Sequence, residues 1–193
     1  MKLKTAQAIA LEVIENLSPA CERIVYAGSA RREKPEIKDL EIVYISQMFT
    51  IPATFFDDIS IPRTEKLIVD LVARRFWDFD STTRRNGPKY KRLVHLATGA
   101  TIELFRAQPE NWGLILALRT GPAEFNHLLV DRMGGAMDVD MCMRAGYLWN
   151  RGKRLDSPDE ETFFAQIGVP CWPPEERSQE KLKSYLKEKQ GAR

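Results

Sequence analysis

Residues 5–17 set Ala6, Ile9, Ala10, Val13, Ile14 and Leu17 at helical spacing with polar residues between them, which predicts an amphipathic helix. Residues 22–28 then read as a strand that runs into a Gly28-Ser29 turn, and residues 38–45, rich in β-branched side chains, as the next strand. From 46 to 62 the pattern fails. Pro52 and Pro62 interrupt it, Phe49, Phe55 and Phe56 stud it, and the stretch reads as an irregular loop folded onto the core. Thr64 is a candidate cap for a helix over 65–76, with Leu67, Ile68, Leu71 and Val72 facing inward. After the Gly87-Pro88 break, residues 89–97 and 101–107 predict a hairpin turning at Thr98-Gly99.

Pro109 opens a more helical texture. Helices are expected over 109–119, stopped by Gly121-Pro122, and over 123–133, stopped by Gly134-Gly135. Short strands are expected within 137–143 and 147–155, with a turn at Asn150-Arg151-Gly152. Ser157-Pro158-Asp159-Glu160 reads as a capping box with proline at the first helical position, for a helix ending at Gly168. Pro173-Pro174-Glu175-Glu176-Arg177 is the expected start of a last, polar helix. No internal repeat interrupts this order. The expectation is an α+β chain, with a mixed lobe to about residue 107 and a smaller, mainly helical lobe after it.

Composition narrows the chemistry. With 193 residues, 44% of them hydrophobic, the chain suits one domain or one domain with an appended lobe. Three cysteines, Cys21, Cys142 and Cys171, are too few and too scattered for a disulfide framework, and with only His95 and His127 they make no zinc pattern. The N-terminus is not an apolar signal core and no apolar run approaches membrane-spanning length, so the cytoplasm is the expected location. The net charge of +2 neither demands nor excludes nucleic acid. Its distribution says more: Arg31, Arg32, Arg74, Arg75, Arg84, Arg85, Lys89, Lys91 and Arg92 crowd the first half.

The candidate chemistry begins at Gly28-Ser29-Ala30-Arg31-Arg32. A turn offering backbone N–H groups beside two arginines suits a polyphosphate. Asp39-Leu40-Glu41-Ile42-Val43 follows. Strand alternation would put Asp39 and Glu41 on one face, where two carboxylates repel unless a cation lies between them. Glu103 stands in the second strand of the expected hairpin, between large apolar neighbours, and gains interest as a partner for that pair. Metal and phosphate in one place point to nucleotidyl transfer.

These residues resemble DNA polymerase family X, the polymerase beta group of the nucleotidyltransferase superfamily. Gly28-Ser29-x-Arg31-Arg32 with Asp39-x-Glu41 is similar to that family's nucleotide- and metal-binding motif, and Glu103, after Gly87-Pro88-Lys89-Tyr90-Lys91, falls where the third carboxylate would stand. Thr120-Gly121-Pro122-Ala123-Glu124-Phe125-Asn126 resembles the thumb motif. The run from Asp159 to Pro170, with Pro173-Pro174-Glu175-Glu176-Arg177, is similar to the C-terminal segment. The likeness covers roughly residues 5–178, without the family's lyase domain or helix-hairpin-helix modules. It implies a nucleotidyltransferase palm over 1–107, a mixed β-sheet with two helices, followed by a mainly helical thumb over 108–193.

The resemblance also implies roles. Asp39, Glu41 and Glu103 would hold two Mg²⁺ ions, with Mn²⁺ able to substitute. Gly28 and Ser29 would bind terminal phosphates of a nucleoside triphosphate, and Arg32, or Arg31, would pair with phosphate as a fork. Leu118, Arg119, Gly121, Ala123 and Asn126 would surround the incoming sugar and base, and Lys89, Lys91 and Arg92 would hold primed or gapped DNA. The implied activity is a minimal DNA polymerase filling short gaps in DNA repair, with a monomer as the default state. Alternatives are a template-independent 3′-terminal nucleotidyltransferase on DNA or RNA and a catalytically inactive nucleotide-binding protein.

The chain departs from the family pattern in several places. Two of its three acids are glutamate where the family has aspartate. Leu118-Arg119 replaces the usual tyrosine-phenylalanine beside the sugar 2′ position, which predicts weak rejection of ribonucleotides. Ala123 replaces a residue that packs on the base, and Val130 stands where an arginine often touches the template, which together predict low fidelity.

Overall fold

A computed structural model of the chain describes residues 1–52, 58–83, 86–135 and 141–191, with side chains left aside at 52, 132–135 and 190–191. Phe55 and Phe56, Arg84 and Arg85, and the 137–140 part of the expected strand lie outside the described residues. The fold is mixed α+β. The chain divides into two units, Met1–Ala30 with Pro35–Gln108, and Arg31–Lys34 with Pro109–Arg193. Among the described residues no helix is long and apolar enough to cross a membrane.

In the first unit, helix α1 (Leu3–Leu17) leads to strand β1 (Cys21–Tyr26) and a helical turn α2 (Gly28–Arg31), the last residue of which belongs to the second unit. Strand β2 (Leu40–Ser46), strands β3 (Met48–Pro52) and β4 (Asp58–Pro62), helix α3 (Arg63–Ala73) and strands β5 (Trp77–Phe79), β6 (Tyr90–His95) and β7 (Ala100–Ala107) follow. Five of these strands form one sheet in the order β1-β2-β7-β6-β5. Every neighbouring pair in it is antiparallel except β2 and β7, which run parallel. The sheet is therefore mixed.

Alternation along the strands gives the sheet two unlike faces. Leu40, Ile42 and Tyr44 of β2, Ile102 and Leu104 of β7 and Leu93 of β6 share one core with Ala6, Ile9, Ala10, Val13 and Leu17 of α1 and Ile68 and Leu71 of α3. The intervening positions Glu41, Glu103 and Arg92 turn to the other face.

Three expectations need correction here. The stretch read as an irregular loop contains a hairpin: β3 and β4 pair from Met48↔Pro62 to Pro52↔Asp58. Its prolines stand at the ends of the paired strands, where a missing N–H costs the ladder least. Thr64 is not a cap but a buried residue inside α3, and its Oγ1 lies 3.0 Å from Ser46 Oγ. Asp39 precedes β2 rather than lying within it, so strand alternation does not set its direction.

The second unit holds helices α4 (Trp112–Thr120), α5 (Ala123–Gly135), α6 (Glu160–Gln166) and α7 (Gln179–Gly191), with a three-stranded sheet of β8 (Met141–Arg144), β9 (Tyr147–Asn150) and β10 (Lys153–Leu155). Leu114, Ala117, Phe125, Leu129, Leu148, Phe163, Phe164, Leu182 and Leu186 make its core. Both tight turns of the sheet, Ala145-Gly146 and Arg151-Gly152, hold their two residues at positive φ, the geometry that matches strand twist. The expected capping box is corrected by one element: Asp159, not Ser157, caps α6 by accepting from Thr162 N at 2.7 Å. Pro174–Glu176 is a single 3₁₀ turn, and the last helix begins only at Gln179.

Candidate active site

Glu41 and Glu103 are register partners across the parallel pair β2 and β7, and Arg92 of β6 is the register partner of Glu103. The three side chains form one row, Glu41-Glu103-Arg92, across three neighbouring strands about 4.8 Å apart. Glu103 answers Arg92 directly: Arg92 Nη1 donates to Glu103 Oε1 at 2.8 Å, and the Tyr90 hydroxyl donates to the same oxygen at 2.7 Å. Arg92 Nε donates to Asp80 Oδ2 at 2.7 Å. Burial, and then the hydrogen bond to Glu103, push the Tyr90 phenol above its ordinary pKa, so it stays a donor. Hydrogen bonds from Thr82 and from Arg92 hold the Asp80 carboxyl below the usual aspartate value.

The turn that precedes this row presses on it. Gly28 sits at φ +62, and the Ala27 N–H donates to Glu41 O at 2.7 Å. A Cβ on Gly28 would lie 1.8 Å from Glu41 Oε2. A side chain there would be strained by the left-handed backbone and would require the Glu41 carboxylate to shift. Gly28 is buried and Ser29 half-buried.

Asp39, Glu41 and Glu103 offer oxygen alone, the donor chemistry of a hard divalent cation. Glu41 and Glu103 are brought together by register. Asp39 is half-buried just ahead of β2, and among the described residues no group of three His, Cys, Asp or Glu is gathered closely enough to hold one ion. The donor set therefore fits in kind, and in the placement of two of its three members.

The basic residues fare differently. Lys91 points to the helix-covered face, where its Nζ lies 2.8 Å from Glu65 Oε2 and its side chain is 10% exposed. Lys89 is exposed, and Arg92 is taken up by the two carboxylates. Arg31 and Arg32 belong with the second unit. Arg31 Nη1 and Nη2 grip Glu160 at 3.0 and 2.5 Å, Nη1 also donates to Thr120 Oγ1 at 2.7 Å, and Arg32 Nη1 donates to Thr120 O. Arg177 Nη1 reaches Glu160 Oε1 at 2.6 Å. Burial alone would push the Glu160 carboxyl up, but hydrogen bonds from Arg31 and Arg177 outweigh it and hold its pKa below the usual glutamate value.

Asn126 serves its own turn. Its Nδ2 donates to Leu118 O at 2.6 Å and to Gly121 O at 3.0 Å, closing the end of α4. A side chain on Gly121 would collide with Asn126 Oδ1 at 2.3 Å. Leu118 packs against the second core, while Arg119 and Ala123 are exposed.

Sequence reasoning missed Asp80, Tyr90 and Glu160 as partners of the candidate residues, and Arg177 as a second partner of Glu160. Asp80 carried one local signal, since Thr82 two residues on is the usual partner of an Asx turn. The other three are joined to their partners by strand register or by long-range packing, which leave no local mark. Comparison with the models of known protein families finds no match to this chain, and comparison with curated proteins finds none either.

Proposed function

We propose that this chain is a minimal nucleotidyltransferase of the family-X polymerase kind, adding a nucleotide to the 3′-hydroxyl of a primer in short gaps of DNA. In this reading the first unit is the palm and the second the thumb. The observation that carries it is the pairing of Glu41 with Glu103 across parallel strands, directly beside the Gly28-Ser29 turn.

Glu41 and Glu103, with Asp39 from the approach to β2, would hold divalent cations. Bound there, the metal would supply Lewis-acid activation of the primer hydroxyl and charge neutralisation at the triphosphate. The residues themselves do the rest. The missing side chain at Gly28 leaves room for the Glu41 carboxylate against the turn, and Ser29, next to it, can donate to a phosphate oxygen. Lys89 is exposed and can meet a DNA phosphate. Roles for Leu118, Arg119, Gly121, Ala123 and Asn126 at the sugar and base rest on the sequence resemblance.

A labelled primer alone, a primer on an open template and a one-nucleotide gap, each with Mg²⁺ or Mn²⁺ and single nucleotides, test the proposal. Templated extension lost in Glu41→Gln and Glu103→Gln supports it. Untemplated addition favours a terminal transferase, a reading that Val130, 38% exposed on α5 in place of an arginine, also favours. No product under any condition overturns both.

A further inference from the structure

Glu103 is held by one oxygen only. Oε1 accepts from Tyr90 and from Arg92, and among the described residues no donor reaches Oε2. Each of the two donors is itself fixed. The Tyr90 ring packs on Phe105, with centroids 5.1 Å apart and planes 38° from parallel. Arg92 is braced from behind by Asp80, whose Oδ1 accepts from Thr82 N at 2.8 Å and from Thr82 Oγ1 at 2.6 Å. The result is a continuous line, Thr82-Asp80-Arg92-Glu103, laid across β6 and ending at a carboxylate whose second oxygen is left over.

We propose that Tyr90 and Asp80 are positioning residues, Tyr90 directly and Asp80 through Arg92, which hold Glu103 so that Oε2 is the oxygen offered to a hard divalent cation beside Glu41. The inference rests on the metal reading given above. A carboxylate that ligates a metal depends on outer hydrogen bonds for its orientation, and losing one typically lowers metal affinity about 10- to 100-fold. The two residues act differently. Tyr90 contributes a neutral donor, so its loss frees the glutamate to swing without changing the charge. Asp80 divides the positive charge of Arg92 between two carboxylates, and its loss leaves that charge whole, next to a group that must receive a dication.

Calorimetric titration of the full chain with Mn²⁺ at low ionic strength tests this, using wild type, Tyr90→Phe, Asp80→Asn, Asp80→Glu and Glu103→Gln. Tyr90→Phe and Asp80→Asn are expected to bind Mn²⁺ about 10- to 100-fold more weakly, with Asp80→Glu restoring affinity because it keeps the charge. The thermal midpoint of Tyr90→Phe should stay near that of wild type, which separates positioning from folding. If that variant does not fold, the Asp80 pair decides. Wild-type affinity in both Tyr90→Phe and Asp80→Asn, with binding lost in Glu103→Gln, overturns the positioning role and leaves the metal reading standing. No Mn²⁺ binding by wild type, or unchanged binding by Glu103→Gln, removes the metal reading and this inference with it.

Discussion

Gly28 and Glu41 are packed so closely that a methyl group on the glycine would lie 1.8 Å from the glutamate's Oε2. The turn after β1 and the carboxylate on β2 are thus one piece, tied also by the Ala27 N–H to Glu41 O bond at 2.7 Å.

Gly28→Ala should therefore be felt twice. The left-handed backbone at φ +62 costs about 1–2 kcal/mol with a Cβ present, and the Glu41 carboxylate must move aside. A thermal melt should show reduced stability and an Mn²⁺ titration reduced affinity. Unchanged Mn²⁺ affinity would show that Glu41 can relocate without consequence.

The Arg31-Glu160-Arg177 cluster should make the second unit acid-sensitive. The folded pKa of Glu160 lies below its ordinary value, so the stabilisation is complete above the unfolded value of about 4.3 and is lost as the pH falls through the folded pKa. Glu160→Gln leaves Arg177, whose side chain is 1% exposed, without its counter-charge. A loss of about 3–5 kcal/mol is expected at neutral pH, with a shallower acid limb. Urea titrations between pH 3 and 7 would show both, and an acid limb identical to wild type would assign the acid sensitivity to other groups.

Lys91 and Lys89 should separate in a salt series. Lys91 is paired with Glu65 at 2.8 Å on the helix-covered face, so Lys91→Met should lower stability and leave the salt dependence of the proposed DNA binding alone. Lys89→Ala should reduce the slope of log affinity against log salt by about 0.9, the share of a single neutralised phosphate. An equal slope change for both substitutions would contradict the placement.

The three thiols should react unequally. Cys142 is exposed, burial pushes the Cys21 thiol up to about 12, and burial also raises that of half-buried Cys171. At pH 8 a thiol reagent should show one fast equivalent, and Cys142→Ser should remove it. Two fast equivalents in the native protein would be inconsistent with the burial of the others.

Under the proposed polymerase reading, Leu118-Arg119 at the place where the resembled family has an aromatic pair predicts similar insertion efficiencies for ATP and dATP in a one-nucleotide gap. Strong rejection of ATP would assign sugar selection to other residues.

Much of the fold was legible because it is local. The helix expected over 5–17 is Leu3–Leu17, and the hairpin expected around Thr98-Gly99 is β6 and β7, since periodicity and turn chemistry act over a few residues. The β3-β4 hairpin was hidden because its strands are edged with proline and, at Met48, Ile51 and Ile59, partly exposed, so no alternation marks a buried face. Thr64 misled because a threonine ahead of an apolar run looks like a cap, yet Ser46, eighteen residues away, takes its hydroxyl.

Helix α1, strands β1, β2, β6 and β7, the turn at Gly28 and the identity of the acids follow from the chain alone, because side-chain size, backbone freedom and period are properties of neighbours in sequence. Whether an acid meets another acid or a base was decided by pairing. The parallel register of β2 and β7 sets Glu41 beside Glu103, and the register of β6 gives Glu103 its arginine while turning Lys91 to the other face. A shift of one residue in either pairing would reverse those faces; the β6-β7 register is set locally by the turn at Thr98-Gly99, whereas that of β2 and β7 joins segments far apart in sequence and was decided only by the tertiary fold.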